Sequence, residues 1–152
     1  MEKERKMSKY YLDLDYVERN LDISDEELNE IITEADVIIS DKQAETSQKV
    51  QAYLKKVQCL QKIEKLTESR EPIEKVLELQ PDMPEALVRL GMLAQEEKKL
   101  DEAIADYNKA IELKPDYILA YNNRGNIFAD QNKHDDAIMN YIKAIELRFV
   151  YI

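Results

Sequence analysis

A chain of 152 residues with 44 % apolar and 36 % charged side chains, two glycines and no tryptophan can bury one core and reads as helical. Its formal charge of −10, from 22 basic and 32 acidic residues, has the wrong sign for neutralising phosphates, so nucleic acid is not expected as a partner. No run approaches a membrane-spanning length, and MEKERKMSKYY lacks the apolar core of a secretory leader, so the expectation is a cytoplasmic protein with no membrane partner.

Cysteine usage points the same way. Cys59 stands alone, which leaves no intrachain disulfide and no cysteine cluster for zinc. No metal site and no cofactor are expected. The acidity is unevenly placed. Residues 1–48 hold 6 basic and 14 acidic side chains, residues 49–82 hold 7 and 6, and residues 83–152 hold 9 and 12.

Met1 to Lys9 is polar and expected to fray. Tyr10 to Asn20 alternates apolar and acidic residues, compatible with a short helix or an extended arm. Ser24-Asp25-Glu26-Glu27 then has the form of a capping box, in which Ser24 accepts from the N–H three residues on and Glu27 reaches back. Leu28, Ile31, Ile32, Ala35, Ile38 and Ile39 keep helical spacing from there to about Ser40. Asp41 to Leu66 reads as one longer helix, with Val50, Leu54, Val57 and Leu60 on one side. Pro72, tolerated only in a first turn, predicts a shortened helix that carries Ile73, Val76 and Leu77 before Pro81.

The last 70 residues match themselves at one offset, 34 residues. Gly91 falls on Gly125, Ala103 on Ala137, Tyr107 on Tyr141, Ala110 on Ala144 and Tyr117 on Tyr151. A fixed period of this size means one supersecondary unit copied and stacked. Within each copy two apolar runs at helical spacing flank a short polar turn, Glu97 to Leu100 or Asn132 to His134, so the unit is two antiparallel helices. Glycine inside a helix costs about 1 kcal/mol against alanine, so Gly91 and Gly125 imply close approach to a neighbouring helix.

On these residues the chain resembles the tetratricopeptide repeat (TPR) family. Leu87, Leu90, Gly91, Ala94, Ala103, Tyr107, Ala110 and Pro115 stand at its signature positions in one copy. Tyr121, Arg124, Gly125, Phe128, Ala137, Tyr141, Ala144 and Phe149 stand there in the next. Ala94 replaces a bulky aromatic, Arg124 a leucine and Phe149 the closing proline. One period earlier the fit weakens, with Val57 at the glycine position and Ser69 at the first small one. The resemblance implies an all-α, right-handed solenoid of antiparallel helix pairs that binds other proteins and does no chemistry. The expected organisation is an acidic extension over 1–49 with a helix at about 24–40, a degenerate repeat over 50–83, and repeats over 84–117 and 118–152.

No catalytic constellation is expected. His134 lies in an inter-helix turn with no nucleophile beside it and reads as a half-buried turn residue, and Cys59 reads as a small core residue. In a TPR solenoid the first helix of each unit faces the concave side. That implies groove candidates Lys55 and Gln58 in the degenerate unit, Arg89 and Met92 in the next, and Asn122, Asn123 and Asn126 in the last. A side-chain amide offers donors and an acceptor, which suits the backbone of an extended peptide. The carboxylate clamp that holds acidic chaperone tails in some TPR domains is not expected. Asn123 fits one clamp position, but Val88 and Met92 stand where Lys and Asn are wanted. A terminal repeat needs a cap, and no polar capping helix follows Leu147. Ile138, Ile142, Ile145 and Phe149 are therefore interface candidates. Either the tail folds back over them, or two chains pair as a homodimer, or the chain is a piece of a longer array. The expected function is a scaffold or adaptor that binds a protein, as a peptide or helix in the groove. The alternative is a dedicated chaperone for a secreted or assembling partner.

Overall fold

The computed structural model describes residues 23–150, which form seven α-helices and one 3₁₀ turn. The readings made for Met1 to Asn20 and for Tyr151 lie outside the described residues. The helices are α1 (Asp25–Ser40), α2 (Thr46–Lys62), α3 (Arg70–Leu79), α4 (Pro84–Glu96), α5 (Leu100–Leu113), α6 (Ile118–Asp130) and α7 (His134–Val150). They fall into two compact units, divided between Gln80 and Pro81. The fold is all-α and built of paired antiparallel helices.

In the first unit α1 and α3 both pack on α2. The Ser24 capping box forms as expected, with the Glu27 N–H donating to Ser24 Oγ at 3.2 Å and the Ser24 N–H donating to Glu27 Oε2 at 3.1 Å. Leu28 and Ile31 pack with Cys59 in a core that Ile32 and Ile63 flank. The single long helix expected over Asp41 to Leu66 is shorter at both ends. Asp41 Oδ1 accepts the Gln43 N–H at 2.8 Å, a local turn that competes with helix, and a second capping box between Glu45 and Gln48 starts α2 at Thr46. At the other end Glu64 adopts φ 60°, and the Lys65 N–H closes back on the Leu60 carbonyl at 2.9 Å. Pro72 lies in the first turn of α3, which spans 10 residues against 14 for α5.

In the second unit α4 pairs with α5 and α6 with α7, while α5 and α4 both pack against α6. The glycine reading has a direct geometric basis. A Cβ on Gly91 would stand 2.6 Å from Tyr107 Cε1, and one on Gly125 would stand 2.8 Å from Tyr141 Cε1. Each pair of helices therefore closes on a tyrosine ring laid across a bare backbone. In the first unit the same two positions hold Val57 and Ile73, both fully buried. Bulk removed from the ring position reappears at the glycine position, so the degenerate repeat keeps its volume rather than losing its packing. Ser69, at the small position, is buried with its hydroxyl donating to the Leu66 carbonyl.

Glu64, Lys98 and Asn132 are the described non-glycine residues with positive φ, at 60°, 62° and 59°. They lie one repeat apart, each just past the end of a first helix. In all three the next N–H donates to a carbonyl five residues back, Lys65 to Leu60, Lys99 to Ala94 and Lys133 to Phe128. These are left-handed helix caps of the kind that glycine usually supplies.

Two stability measurements follow from this geometry. Gly91→Ala forces a fully buried ring to move and is expected to cost about 1–3 kcal/mol in urea unfolding; Gly125→Ala costs less, because Tyr141 is only half-buried. Lys98→Gly relieves a left-handed side-chain conformation and is expected to stabilise by about 0.5 kcal/mol or more in the same assay.

Candidate functional site

The sequence-derived groove residues divide by where the fold puts them. In the first unit Lys55 and Gln58 are buried, at 8 % and 5 % exposure. Lys55 lies near Glu34 of α1, whose carboxyl burial raises and Lys55 partly restores. These two residues line no open surface. Sequence periodicity on α2 alone could not show that burial.

In the second unit α4 and α6 lie side by side. Arg89 is mostly covered and pairs with Glu85 one turn back at 3.3 Å; Met92 is half-buried. On α6 Asn122 and Asn123 are half-buried and Asn126 is exposed. Asn126 Oδ1 accepts the Tyr141 hydroxyl at 2.6 Å, so one of its polar atoms already serves the helix pair. Asn123 lies beside the Tyr107 hydroxyl, which donates to Gln95 Oε1 at 3.1 Å, and its Nδ2 is buried with no acceptor in hydrogen-bond geometry. Burial drives the Tyr107 hydroxyl far above its usual pKa, so it stays a neutral donor.

Sequence reasoning marked Arg124 only as a departure from leucine. In the fold it is a polar staple across three helices. Nε donates to Asn140 Oδ1 of α7 at 2.8 Å, and Nη1 to Asn108 Oδ1 of α5 at 2.7 Å. Asn140 is itself buried and donates to the Asp136 carbonyl at 2.8 Å. The signal was legible in principle, since Asn108 and Asn140 flank Arg124 at equal spacings of 16.

Arg124 also borders a depression of about 400 Å³ on the α6–α7 pair, lined by Tyr121, Arg124, Met139, Asn140, Ile142, Lys143 and Glu146. Ile138, Met139, Ile142, Ile145, Phe149 and Val150 of α7 are between 49 % and 76 % exposed. Of their counterparts one repeat earlier, Ile104 and Ile111 of α5 are half-buried, while Ala105, Asn108 and Pro115 are exposed. The interface candidates Ile138, Ile142, Ile145 and Phe149 thus form one exposed apolar face.

His134 is exposed at the start of α7, not half-buried. Burial raises the Cys59 thiol to about 11, which keeps it protonated and inert at neutral pH. Among the described residues no group of three His, Cys, Asp or Glu side chains could hold a metal ion, and no helix is long and apolar enough to cross a membrane.

Arg124→Leu restores the residue that the repeat usually carries but strands the buried Asn140 oxygen. It is expected to destabilise by about 1–3 kcal/mol in urea unfolding. Adding Asn140→Leu recovers part of that loss, since both polar partners then go together.

Comparison with known proteins agrees with this architecture. Models described as "Tetratricopeptide repeat" match residues 50–83 and 118–148, and one described as "TPR repeat" matches 95–131. No curated protein sequence matches. Among solved structures, "MamA RS-1 ArsTM double mutant" is 21 % identical over 83 % of this chain and 68 % of its own, with a TM-score of 0.70. "MamA 41-end from Desulfovibrio magneticus RS-1" is 19 % identical over 98 % of this chain and 91 % of its own, at 0.68. "MamA MSR-1 C2" is 17 % identical over 99 % and 93 %, at 0.66. Identities this low carry the fold alone. With its 34-residue period, its glycine–tyrosine helix pairs and these matches, the chain belongs to the tetratricopeptide repeat proteins.

Proposed function

We propose that this protein is a binding scaffold that takes an extended peptide or a helix along the first-helix face of its second unit. A TPR-like fold generally serves protein or peptide binding. The observation that carries the finer reading is the amide-rich surface of α6 beside α4. Asn122, Asn123 and Asn126 occupy one stretch of helix where their type lowers helix propensity. Asn123 places a buried amide beside the Tyr107 hydroxyl, at the edge of this surface. Arg89 supplies charge at the neighbouring helix, and Met92 an adaptable apolar contact. Lys55 and Gln58 are left out of this surface because they are buried.

A second reading, self-association, is favoured by a separate observation. The exposed face of α7 carries apolar side chains, where α5 carries the half-buried Ile104 and Ile111 and the polar, exposed Asn108. Such a patch on a folded domain usually marks an interaction surface.

The groove reading is tested by capturing peptides from a display library on the purified protein and measuring their affinity by calorimetry. Replacing Arg89 and Asn123 together by Ala is expected to weaken the captured peptide by about 10-fold or more while far-UV circular dichroism stays unchanged. Unchanged affinity with intact helicity would sink the groove assignment.

A further inference from the structure

Arg124 ties its three helices together through neutral groups, and its charge is left without a counter-ion. Nε and Nη1 donate to the amide oxygens of Asn140 and Asn108, at 2.8 and 2.7 Å. A guanidinium has more N–H donors than these two bonds use, and among the described residues Nη2 reaches no protein acceptor. The Tyr121 ring lies 5.5 Å from the guanidinium carbon, a contact that attracts the cation without neutralising it. Burial lowers the Arg124 pKa, and no carboxylate offsets that effect. Bridging two asparagines needs no charge, and one repeat earlier Leu90 stands in this place.

The guanidinium borders the depression of about 400 Å³ on the α6–α7 pair, a volume in the range of small-molecule sites. The Tyr121 ring, Met139 and Ile142 give it apolar walls. Its ionic lining is two basic side chains, Arg124 and Lys143, against one acid, Glu146, a balance of +1 in a chain whose formal charge is −10. Lys143 and Glu146 are exposed and screened by solvent, whereas Arg124 is half-buried. A single positive charge suits a monoanion, and the planar fork of a guanidinium matches a carboxylate. The apolar walls call for hydrocarbon beside it.

We propose that this depression binds a small monocarboxylate with a hydrocarbon body, its carboxylate on Arg124 and its body against Tyr121, Met139 and Ile142. The ligand supplies the counter-ion that the fold lacks at this point. None of the lining residues belongs to the α4–α6 surface, so the site neither rests on the peptide-binding reading nor falls with it.

Octanoate is the probe, and the Met139 and Ile142 methyl resonances of the full chain are the readout. They are expected to shift saturably, with a Kd of about 1 mM or below. Octanamide, the neutral isostere, is expected to bind about 10-fold more weakly, since it loses the charge-assisted hydrogen bond. Met139→Glu brings a carboxylate to the depression at a position 68 % exposed, so octanoate binding, read at Ile142, is lost while helicity is kept. Arg124→Leu combined with Asn140→Leu makes octanoate and octanamide equal. No saturation in the wild-type protein, equal wild-type affinity for the two probes, octanoate binding that survives Met139→Glu, or a preference for octanoate that survives the double variant overturns the site. A short peptide ending in a free leucine carboxylate that binds more tightly than octanoate overturns the small-molecule assignment in favour of a chain end.

Discussion

The contact on which the second unit depends is a tyrosine ring pressed against a glycine backbone. Tyr107 meets Gly91 and Tyr141 meets Gly125 at distances that leave no room for a methyl group. A helix gives up propensity at each glycine, and the return is a close approach that lets small residues, Ala103, Ala110, Ala137 and Ala144, be buried on the second helices. The two tyrosine hydroxyls then reach Gln95 and Asn126 across the same gap, so ring and hydroxyl both hold the pair. The first unit solves the same problem with aliphatic volume, Val57 in the glycine place and Ile73 in the ring place.

This contact also explains which side chains are free for binding. Residues that hold the helix pairs together are spent on that task, and they include several that the family resemblance implied as groove residues. Lys55 and Gln58 are buried, and Asn126 gives its oxygen to Tyr141. Asn123 and Arg89 stay near the α4–α6 surface with part of their polar capacity engaged locally. Arg124 is engaged more fully. At a position where the repeat favours leucine, burial opposes its charge, and two asparagine oxygens accept its hydrogen bonds. A polar bridge of this kind ties three helices in one geometry, where a leucine would have packed without direction.

Local features were legible from the sequence where a single stretch of chain decides them. The Ser24 capping box, the shortened helix at Pro72 and the close helix approach at Gly91 and Gly125 all rest on residues whose chemistry leaves few alternatives, though the tyrosine rings that make that approach came only with the fold. The ends of α2 were less legible. Helical spacing continues through Asp41 and Ile63, but an Asx-type turn at one end and a left-handed cap at the other stop the helix. The three caps at Glu64, Lys98 and Asn132 escaped notice for a related reason: none is glycine, so composition does not announce them.

The sequence by itself determined the repeat, its period and its pairing of helices, because those follow from apolar spacing and from residues too small or too large to stand elsewhere. It also marked Ile138, Ile142, Ile145 and Phe149, whose spacing puts them on one face of a helix. Tertiary structure alone decided that Lys55 and Gln58 are buried, that Arg124 spans α5 and α7, and that the α7 stripe is exposed. The physical reason is distance along the chain. Helix spacing is a local property, written in every turn, whereas burial depends on which other helix arrives.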